Sequence, residues 1–198
     1  MHYRDAQVEI TRVVVGPLDN NVHVIRCVET GEAVLLDAAD EPELLLALCR
    51  DLGVRGVLQT HGHRDHIGAV PALRAAGYPV LVGAGDASRL PGYDGLLVDN
   101  QVLDVGHLRL RALHTPGHTP GSMSFAVEGS LVVLSGDTLF PGGPGATRSP
   151  DSDFDAIIAS VERLLGFEDD TVVMPGHGAD TTVGTERPHL PSWIERGW

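Results

Sequence analysis

The stretch THGHRDH, residues 60–66, places three histidines and an aspartate within seven residues. It continues from the apolar segment VRGVLQT, residues 54–60, which predicts a buried strand. Neutral imidazole and carboxylate groups are the ligands that zinc and similar borderline ions prefer. Taken alone, the stretch is also compatible with a solvated polar loop that happens to be rich in histidine.

The spacing inside this stretch suits two metal positions. His61 and His63 stand two residues apart on an extended loop, so both side chains can turn toward one ion. Asp65 and His66 lie where the chain begins to turn into a helix, and they can face a second ion nearby.

Three later segments repeat this arrangement, with one candidate ligand shortly after an apolar run. His118 follows LRLRALHTP, Asp137 follows LVVLSG, and His177 follows TVVMP. Strand ends are rigid and the loops between them can converge on one point, which a metal site requires. The two oxygens of Asp137 allow its carboxylate to bridge two ions.

Both halves of the chain combine short strands with helices, which indicates two packed sheets covered outside by helices, an α/β fold. Turn residues and apolar runs predict strands at residues 8–15, 21–28, 33–38, 54–60, 79–83, 96–99, 108–115, 122–127, 130–136 and 171–176. Helical spacing and capping residues predict helices at 41–53, 66–77 and 151–166. The second is broken or begins near Pro71, and Asp151 or Ser152 caps the third.

The composition is that of a globular protein, and 198 residues suit one domain spanning residues 1–198. The net charge is −13, and all fourteen basic residues are arginine. An acidic surface repels phosphate backbones, so we expect a small-molecule substrate and no nucleic-acid partner. The oligomeric state is left open.

The N-terminal sequence MHYRDAQVEI lacks the pattern of a signal peptide, and no apolar run approaches the ~20 residues of a membrane span. We therefore expect a cytoplasmic protein that does not contact membranes. Cys27 and Cys49 lie in apolar stretches and are expected to be buried, reduced thiols.

Several other ring side chains are interpreted as packing or surface residues. We expect Trp193 and Trp198 to pack as a C-terminal anchor, and His114 to have no role although it is close to a candidate ligand in the sequence. The remaining histidines are expected to lie at the surface or to be partly buried, and they are His2, His23, His107 and His189.

The combined motifs resemble those of the metallo-β-lactamase fold superfamily, in its glyoxalase II-like branch of small, single-domain proteins. THGHRDHIGA is similar to the signature T-H-x-H-x-D-H-x-G of that branch. HTPGHTPGS, GDTLF and PGHG resemble its three later metal motifs, in the same order. The resemblance covers about residues 20–187, and it implies a four-layer αβ/βα sandwich.

By position, the resemblance implies two divalent ions that share Asp137. Zinc is the expected ion, with iron or manganese as alternatives. One ion would be held by His61, His63, His118 and Asp137, and the other by Asp65, His66, His177 and Asp137. Asp37 matches an early aspartate of the family that supports the ligands without being one of them.

The implied reaction is metal-assisted hydrolysis, with hydroxide held between the ions attacking the carbonyl of a thioester or a related ester. Asp65 and Asp137 are the expected catalytic residues, and Asp65 could also accept a proton. Glutathione-specific relatives carry a C-terminal helical domain, whereas 21 residues follow His177 here, so the thiol portion of the substrate stays open. Arg148 is a candidate for binding an anionic end of the substrate, with a solvated surface position as the alternative.

Two other functions remain open. Persulfide dioxygenases resemble the same motifs but use a single iron, for which His61, His118 and Asp137 would form a 2-His-1-carboxylate set. A non-catalytic metal-binding domain belongs to another class, and the open character of the implied site argues against it because structural sites are normally closed.

Overall fold

The computed structural model describes residues 1–197. Its first sheet is formed by seven strands from the N-terminal half of the chain, and their spatial order follows the sequence. Strands β1 to β4 pair antiparallel, and β4 to β7 pair parallel. These strands are β1 Tyr3–Arg4, β2 Val8–Val15, β3 Asn20–Cys27, β4 Ala33–Leu36, β5 Val54–Leu58, β6 Val80–Gly83 and β7 Gly95–Leu97.

The second sheet has six strands in the order β15-β14-β11-β10-β9-β8. Its pairs are antiparallel except for β11 with β14, which run parallel. A separate two-stranded hairpin, β12 Leu139–Phe140 with β13 Gly143–Pro144, lies in the loop after β11. The sheet strands are β8 Val102–Val105, β9 Leu108–His114, β10 Met123–Val127, β11 Val132–Gly136, β14 Val172–Pro175 and β15 Thr181–Thr182.

The helices cover the outer faces of the two sheets, and three apolar clusters separate the resulting layers. Leu45 and Leu73 pack helices against the first sheet, Ile25 and Phe125 meet between the sheets, and Val161 packs a helix against the second sheet. This is the four-layer α/β sandwich that the sequence predicted. The helices are α1 Pro42–Leu52, α2 Arg64–Ile67, α3 Val70–Ala75, α4 Phe154–Leu164, α5 Val183–Glu186 and α6 Leu190–Arg196, with 3-10 segments at Ala84–Arg89 and Arg187–His189.

The prediction of a helix at 66–77 that is broken or begins near Pro71 is confirmed, because α3 begins at Val70, after a turn at Gly68 and Ala69 that separates it from α2. The predicted cap of the third helix is corrected. The cap of α4 is Asp153, whose side chain accepts a hydrogen bond from the backbone N–H of Ala156, and neither Asp151 nor Ser152 occupies that position. No helix within residues 1–197 is long and apolar enough to cross a membrane.

The C-terminal anchor is a helix. Trp193 in α6 is buried in the cluster beneath the second sheet, as expected, while Trp198 lies outside the described residues. Cys27 and Cys49 are buried free thiols, which confirms that prediction.

The prediction for His23 is wrong. Its side chain is 1% exposed, because β3 is an inner strand of the first sheet and His23 alternates onto the face that carries Ile25 and packs against the other sheet. The other three histidines of that group, His2, His107 and His189, are exposed as expected.

Candidate metal centre

Four loops meet at one edge of the sandwich, and each leaves the end of a strand. The first follows β5, the second follows β9, and the other two follow the parallel neighbours β11 and β14. Because parallel neighbours end at the same edge, Asp137 and His177 are brought side by side although forty residues separate them. These loops bring together all seven residues expected to hold metal: His61, His63, Asp65, His66, His118, Asp137 and His177.

Three histidines form the first ligand group. The Nδ1 atom of His63 lies 3.1 Å from Nε2 of His61 and 2.9 Å from Nε2 of His118. These atoms all lie within 4.8 Å of one another, which is close enough to surround one ion. One oxygen of Asp137 completes the group, with its Oδ2 3.5 Å from Nε2 of His118.

The second ligand group is formed by Asp65, His66 and His177. Nε2 of His177 lies 3.1 Å from Nε2 of His66 and 3.3 Å from Oδ2 of Asp65. Asp137 borders this group as well, because its Oδ1 is 3.6 Å from Nε2 of His66 and its Oδ2 is 3.7 Å from Nε2 of His177. The carboxylate of Asp137 therefore lies between the two groups.

Two of the imidazole nitrogens that point away from the site donate to backbone carbonyl groups. Nδ1 of His118 donates to the carbonyl of Ala146 at 2.9 Å, and Nδ1 of His177 donates to the carbonyl of Leu18 at 2.9 Å. A proton on the outer nitrogen leaves the lone pair of Nε2 directed into the site, as a metal ligand requires.

Asp37 and Thr60 orient two further histidines from behind. Asp37 is buried, and its Oδ2 accepts from Nδ1 of His66 and from the hydroxyl of Thr60, both at 2.8 Å. Because that hydroxyl donates to Asp37, it can accept from Nδ1 of His61 at 3.0 Å. This is the supporting position that the resemblance assigned to Asp37.

Asp86 is a supporting residue that the sequence analysis missed. It is fully buried and accepts hydrogen bonds from the backbone N–H of Gly62 at 2.7 Å, the hydroxyl of Thr119 at 2.6 Å and the N–H of Gly121 at 3.0 Å. It therefore fastens the loop of His61 and His63 to the loop of His118. Its place directly after an apolar run, in LVGAGD, is the one signal that could have identified it.

Asn20 was missed in the same way. Its amide donates to Oδ2 of Asp65 at 2.9 Å, and it pairs through a backbone bridge with His177. The start of β3 therefore holds two members of the second ligand group in place.

Two features of the site fit a bound cation. Oδ1 of Asp137 is buried and has no hydrogen-bond partner among the described residues, so this charged oxygen is available to a metal. Space for it depends on Gly176, because a Cβ atom there would lie 2.3 Å from Oδ1 of Asp137 and 2.9 Å from Cε1 of His66.

The two ligand groups differ electrostatically. Burial and the neighbouring histidines lower the pKa of His61 well below its ordinary value, and burial, His118 and Arg89 lower the pKa of His63. Burial also disfavours a charged His66, but Asp137 and Asp37 outweigh it and raise the pKa of His66 to about 9. The carboxylates around His66 therefore favour positive charge, which a divalent cation supplies.

Asp65 is held in its charged form. Burial raises the pKa of its carboxyl, but hydrogen bonds from His177 and Asn20 outweigh burial and keep that pKa well below the usual range. The pKa of His177 is raised, chiefly by its hydrogen bond to Asp65.

The remaining candidates lie around the site. His114 is exposed and its ring bonds to the carbonyl of Pro120, outside the two ligand groups. Arg148 is exposed and lines a cavity of about 310 Å³ with residues 140–146. The same segment contacts the site, since a Cβ atom on Gly145 would lie 3.4 Å from Nδ1 of His118.

Residues 15–177 match the family described as the metallo-β-lactamase superfamily. The chain belongs to this superfamily of metallo-hydrolases. A protein named hydroxyacylglutathione hydrolase GloC, from Haemophilus influenzae, is 32% identical over 80% of this chain and 86% of its own length. The probable metallo-hydrolase YqgX of Bacillus subtilis is 31% identical over 91% of this chain and 95% of its own length.

Solved structures show the same fold. TTHA1623, in a di-iron-bound form, has a TM-score of 0.80 at 34% identity and covers 89% of this chain and 96% of its own. The B3 metallo-β-lactamase BLEG-1 has a TM-score of 0.82 at 32% identity, covering 93% and 99%. ETHE1 from Myxococcus xanthus has a TM-score of 0.80 at 26% identity, covering 92% and 83%.

Proposed function

We propose that the protein is a hydrolase that uses two divalent ions, expected to be zinc, to cleave a small thioester or a related ester. The observation that carries this proposal is the position of Asp137 between two ligand groups, with one buried oxygen lacking any partner within residues 1–197. Such an arrangement suits a pair of ions that share one carboxylate, and the di-iron form of TTHA1623 supports a pair over a single ion.

Two bound divalent ions would polarise the substrate carbonyl and lower the pKa of a water enough to supply a nucleophile near neutral pH. One ion would be held by His61, His63 and His118, and the other by Asp65, His66 and His177. Asp137 would bind both ions. Asp37, Asp86 and Asn20 keep these side chains in position.

Asp65 is the residue proposed to accept the proton released from water. The amide of Asn20 donates a hydrogen bond to its Oδ2, and its side chain is 27% exposed, so it is accessible from the mouth of the site. A thiolate leaving group needs little protonation at neutral pH, which suits a site with no separate acid among the residues that form the two groups.

The relatives support a thioester as substrate. Several proteins named hydroxyacylglutathione hydrolase are longer, and this chain covers 57% of the one from Anaeromyxobacter dehalogenans, which is 42% identical. GloC is close in length to this chain and has the same activity in its name. We therefore propose thioester cleavage and leave the thiol portion to experiment.

A persulfide dioxygenase is the second candidate, favoured by the likeness to ETHE1. It would need one iron, held by His61, His118 and Asp137. The second ligand group argues for the hydrolase. In a dioxygenase with a single iron, Asp65, His66 and His177 would have no metal to bind.

Metal content and thioester cleavage, measured on one preparation, test these candidates. We expect about two ions per chain and thiol release from at least one thioester of a panel that varies the acyl and thiol portions. One iron per chain with oxygen uptake on glutathione persulfide would establish the dioxygenase. Bound metal without either activity would favour a non-catalytic metal-binding domain.

Asp137→Ala is the decisive variant, and Asp104→Ala is its control because Asp104 is exposed on β8. We expect Asp137→Ala to abolish turnover with far-UV circular dichroism unchanged, and Asp104→Ala to retain both. Retained turnover in Asp137→Ala would contradict the bridging role. Arg148→Met in the same assays shows whether Arg148 contacts the substrate, which we expect as a rise in KM at constant kcat.

A further inference from the structure

The side chain of Arg89 lies against the loop that carries two ligands. Arg89 is the last residue of the 3-10 segment Ala84–Arg89, and a Cβ atom at Gly62 would meet its Cβ and Cδ atoms at 2.8 Å. Gly62 separates His61 from His63. The stem of the arginine is therefore packed on the loop that carries His61 and His63.

Two carboxylates of different character hold this guanidinium. Asp86 lies 3.4 Å from its Nε, but Asp86 is fully buried and already accepts three hydrogen bonds that fasten the ligand loops. Asp151 pairs with Nη2, and its side chain is 40% exposed. Asp86 is thus a fixed anchor, whereas Asp151 is a partner that solvent and solutes can reach.

Asp151 belongs to a segment fastened beside His118. The carbonyl of Ala146 accepts from Nδ1 of His118, and the N–H of Asp153 donates to the carbonyl of Gly117 at 2.8 Å. The pair of Arg89 and Asp151 therefore spans the side of the site between the loops of His63 and His118. A ligand carboxylate that took the place of the Asp151 carboxylate would pair with a guanidinium whose stem packs on the loop of His61 and His63.

We propose that Arg89 binds a carboxylate of the substrate by exchange with Asp151, and that the enzyme prefers esters or thioesters carrying such a carboxylate near the reacting carbonyl. The preference for this substrate class rests on the proposed hydrolase function. A guanidinium presents two parallel donors that match a carboxylate, and an exposed ion pair is weak enough to be exchanged. The guanidinium would add to the positive charge that the two proposed ions bring to a chain with net charge −13.

The test compares two compounds that differ in one charge. One is a small thioester whose acyl portion ends in a free carboxylate, and in the other a neutral primary amide replaces that carboxylate. The corresponding thioethers of both compounds contain no ester or thioester bond for the enzyme to cleave. Isothermal titration with the thioethers gives the affinity ratio of the charged to the uncharged compound, and kcat/KM with the thioesters gives the same ratio for catalysis. All measurements use the metal-loaded protein.

Three variants isolate the role of Arg89. Arg89→Met should lower both ratios at least about tenfold, the usual loss when a charge-assisted hydrogen bond is removed. Asp151→Asn should raise both ratios, because it removes the competing carboxylate. Arg109→Met is the matched control, since Arg109 pairs with Glu128 on the exposed surface of β9, and it should leave both ratios within about twofold of wild type.

A merely structural ion pair would behave differently. Arg89→Met and Asp151→Asn would then change thermal stability alike and would leave the ratios unchanged, and this result would overturn the proposal. If the wild type cleaves no thioester but the thioether ratio still depends on Arg89, the proposed function fails and the carboxylate site stands. If the wild type cleaves both thioesters and neither ratio depends on Arg89, only the carboxylate site fails.

Discussion

Asp37→Asn tests whether a residue behind the ligands sets the affinity for metal. The carboxylate of Asp37 accepts from the N–H of Thr60 at 2.7 Å, and its other oxygen accepts from the hydroxyl of Thr60 and from Nδ1 of His66. In the asparagine variant, the side-chain oxygen can still accept from the N–H of Thr60. The NH₂ group, however, would face two other donors, the hydroxyl of Thr60 and Nδ1 of His66. The backbone should tolerate the change, because the φ of Asp37 is 64° and asparagine adopts that region readily.

We expect the affinity of the second ligand group to fall about 10–100-fold, equivalent to about 1.4–2.7 kcal/mol. The loss should concentrate there because His66 loses its acceptor directly, whereas His61 is affected only through the hydroxyl of Thr60. A competitive titration of the metal-free protein with zinc and a chromophoric chelator gives both dissociation constants. Asp104→Asn is the control. Two constants equal to those of the wild type would refute the view that Asp37 orients His66 for binding.

Three further predictions concern packing, acidity and support. Gly176→Ala should displace Asp137, because the added Cβ would lie 2.3 Å from its Oδ1. Displacement of a group at a reacting centre by about 1 Å can cost about 100-fold, so we expect kcat to fall by at least that factor. Measurements of kcat and of metal content check this expectation. Burial lowers the pKa of His23 from 6.5 to about 3, so the unfolded chain binds the additional proton and stability falls as pH drops through this window. The wild type should lose about 2 kcal/mol of its free energy of unfolding between pH 7 and 5, and urea unfolding should show that His23→Phe does not lose this amount. An equal dependence of the unfolding free energy on pH in both proteins would contradict this. Asp86→Asn should cost about 1–3 kcal/mol in the same assay, because at least one buried donor loses its acceptor; a smaller change would mean that Asp86 does not hold the loops.

The sequence predicted the metal ligands better than the residues that hold the ligand loops in place. Each candidate ligand follows an apolar run, and strand ends can be recognised from such runs, so the meeting of His61, His118 and Asp137 was foreseeable. Asp86 and Asn20 act on ligand loops that are 24 or more residues away in the chain, and no local pattern encodes those contacts.

The errors in secondary structure have similar physical causes. The segment DSDF offers three consecutive capping candidates, and which of them caps α4 depends on how Asp153 is tied to Gly117. Strand β8, which was not predicted, is four residues long and exists through its pairing with β9. The burial of His23 follows from the covering of both faces of β3, which its neighbours in the sequence do not indicate.

Anomalous diffraction from crystals of the metal-loaded protein, recorded at the absorption edge of the bound metal, tests the central claim most directly. We expect two peaks about 3.5–4 Å apart, each about 2.0–2.2 Å from an oxygen of Asp137. His61, His63 and His118 should surround one peak, and Asp65, His66 and His177 the other. A single peak that leaves His177 and Asp65 without metal, or two peaks that do not share Asp137, would contradict it.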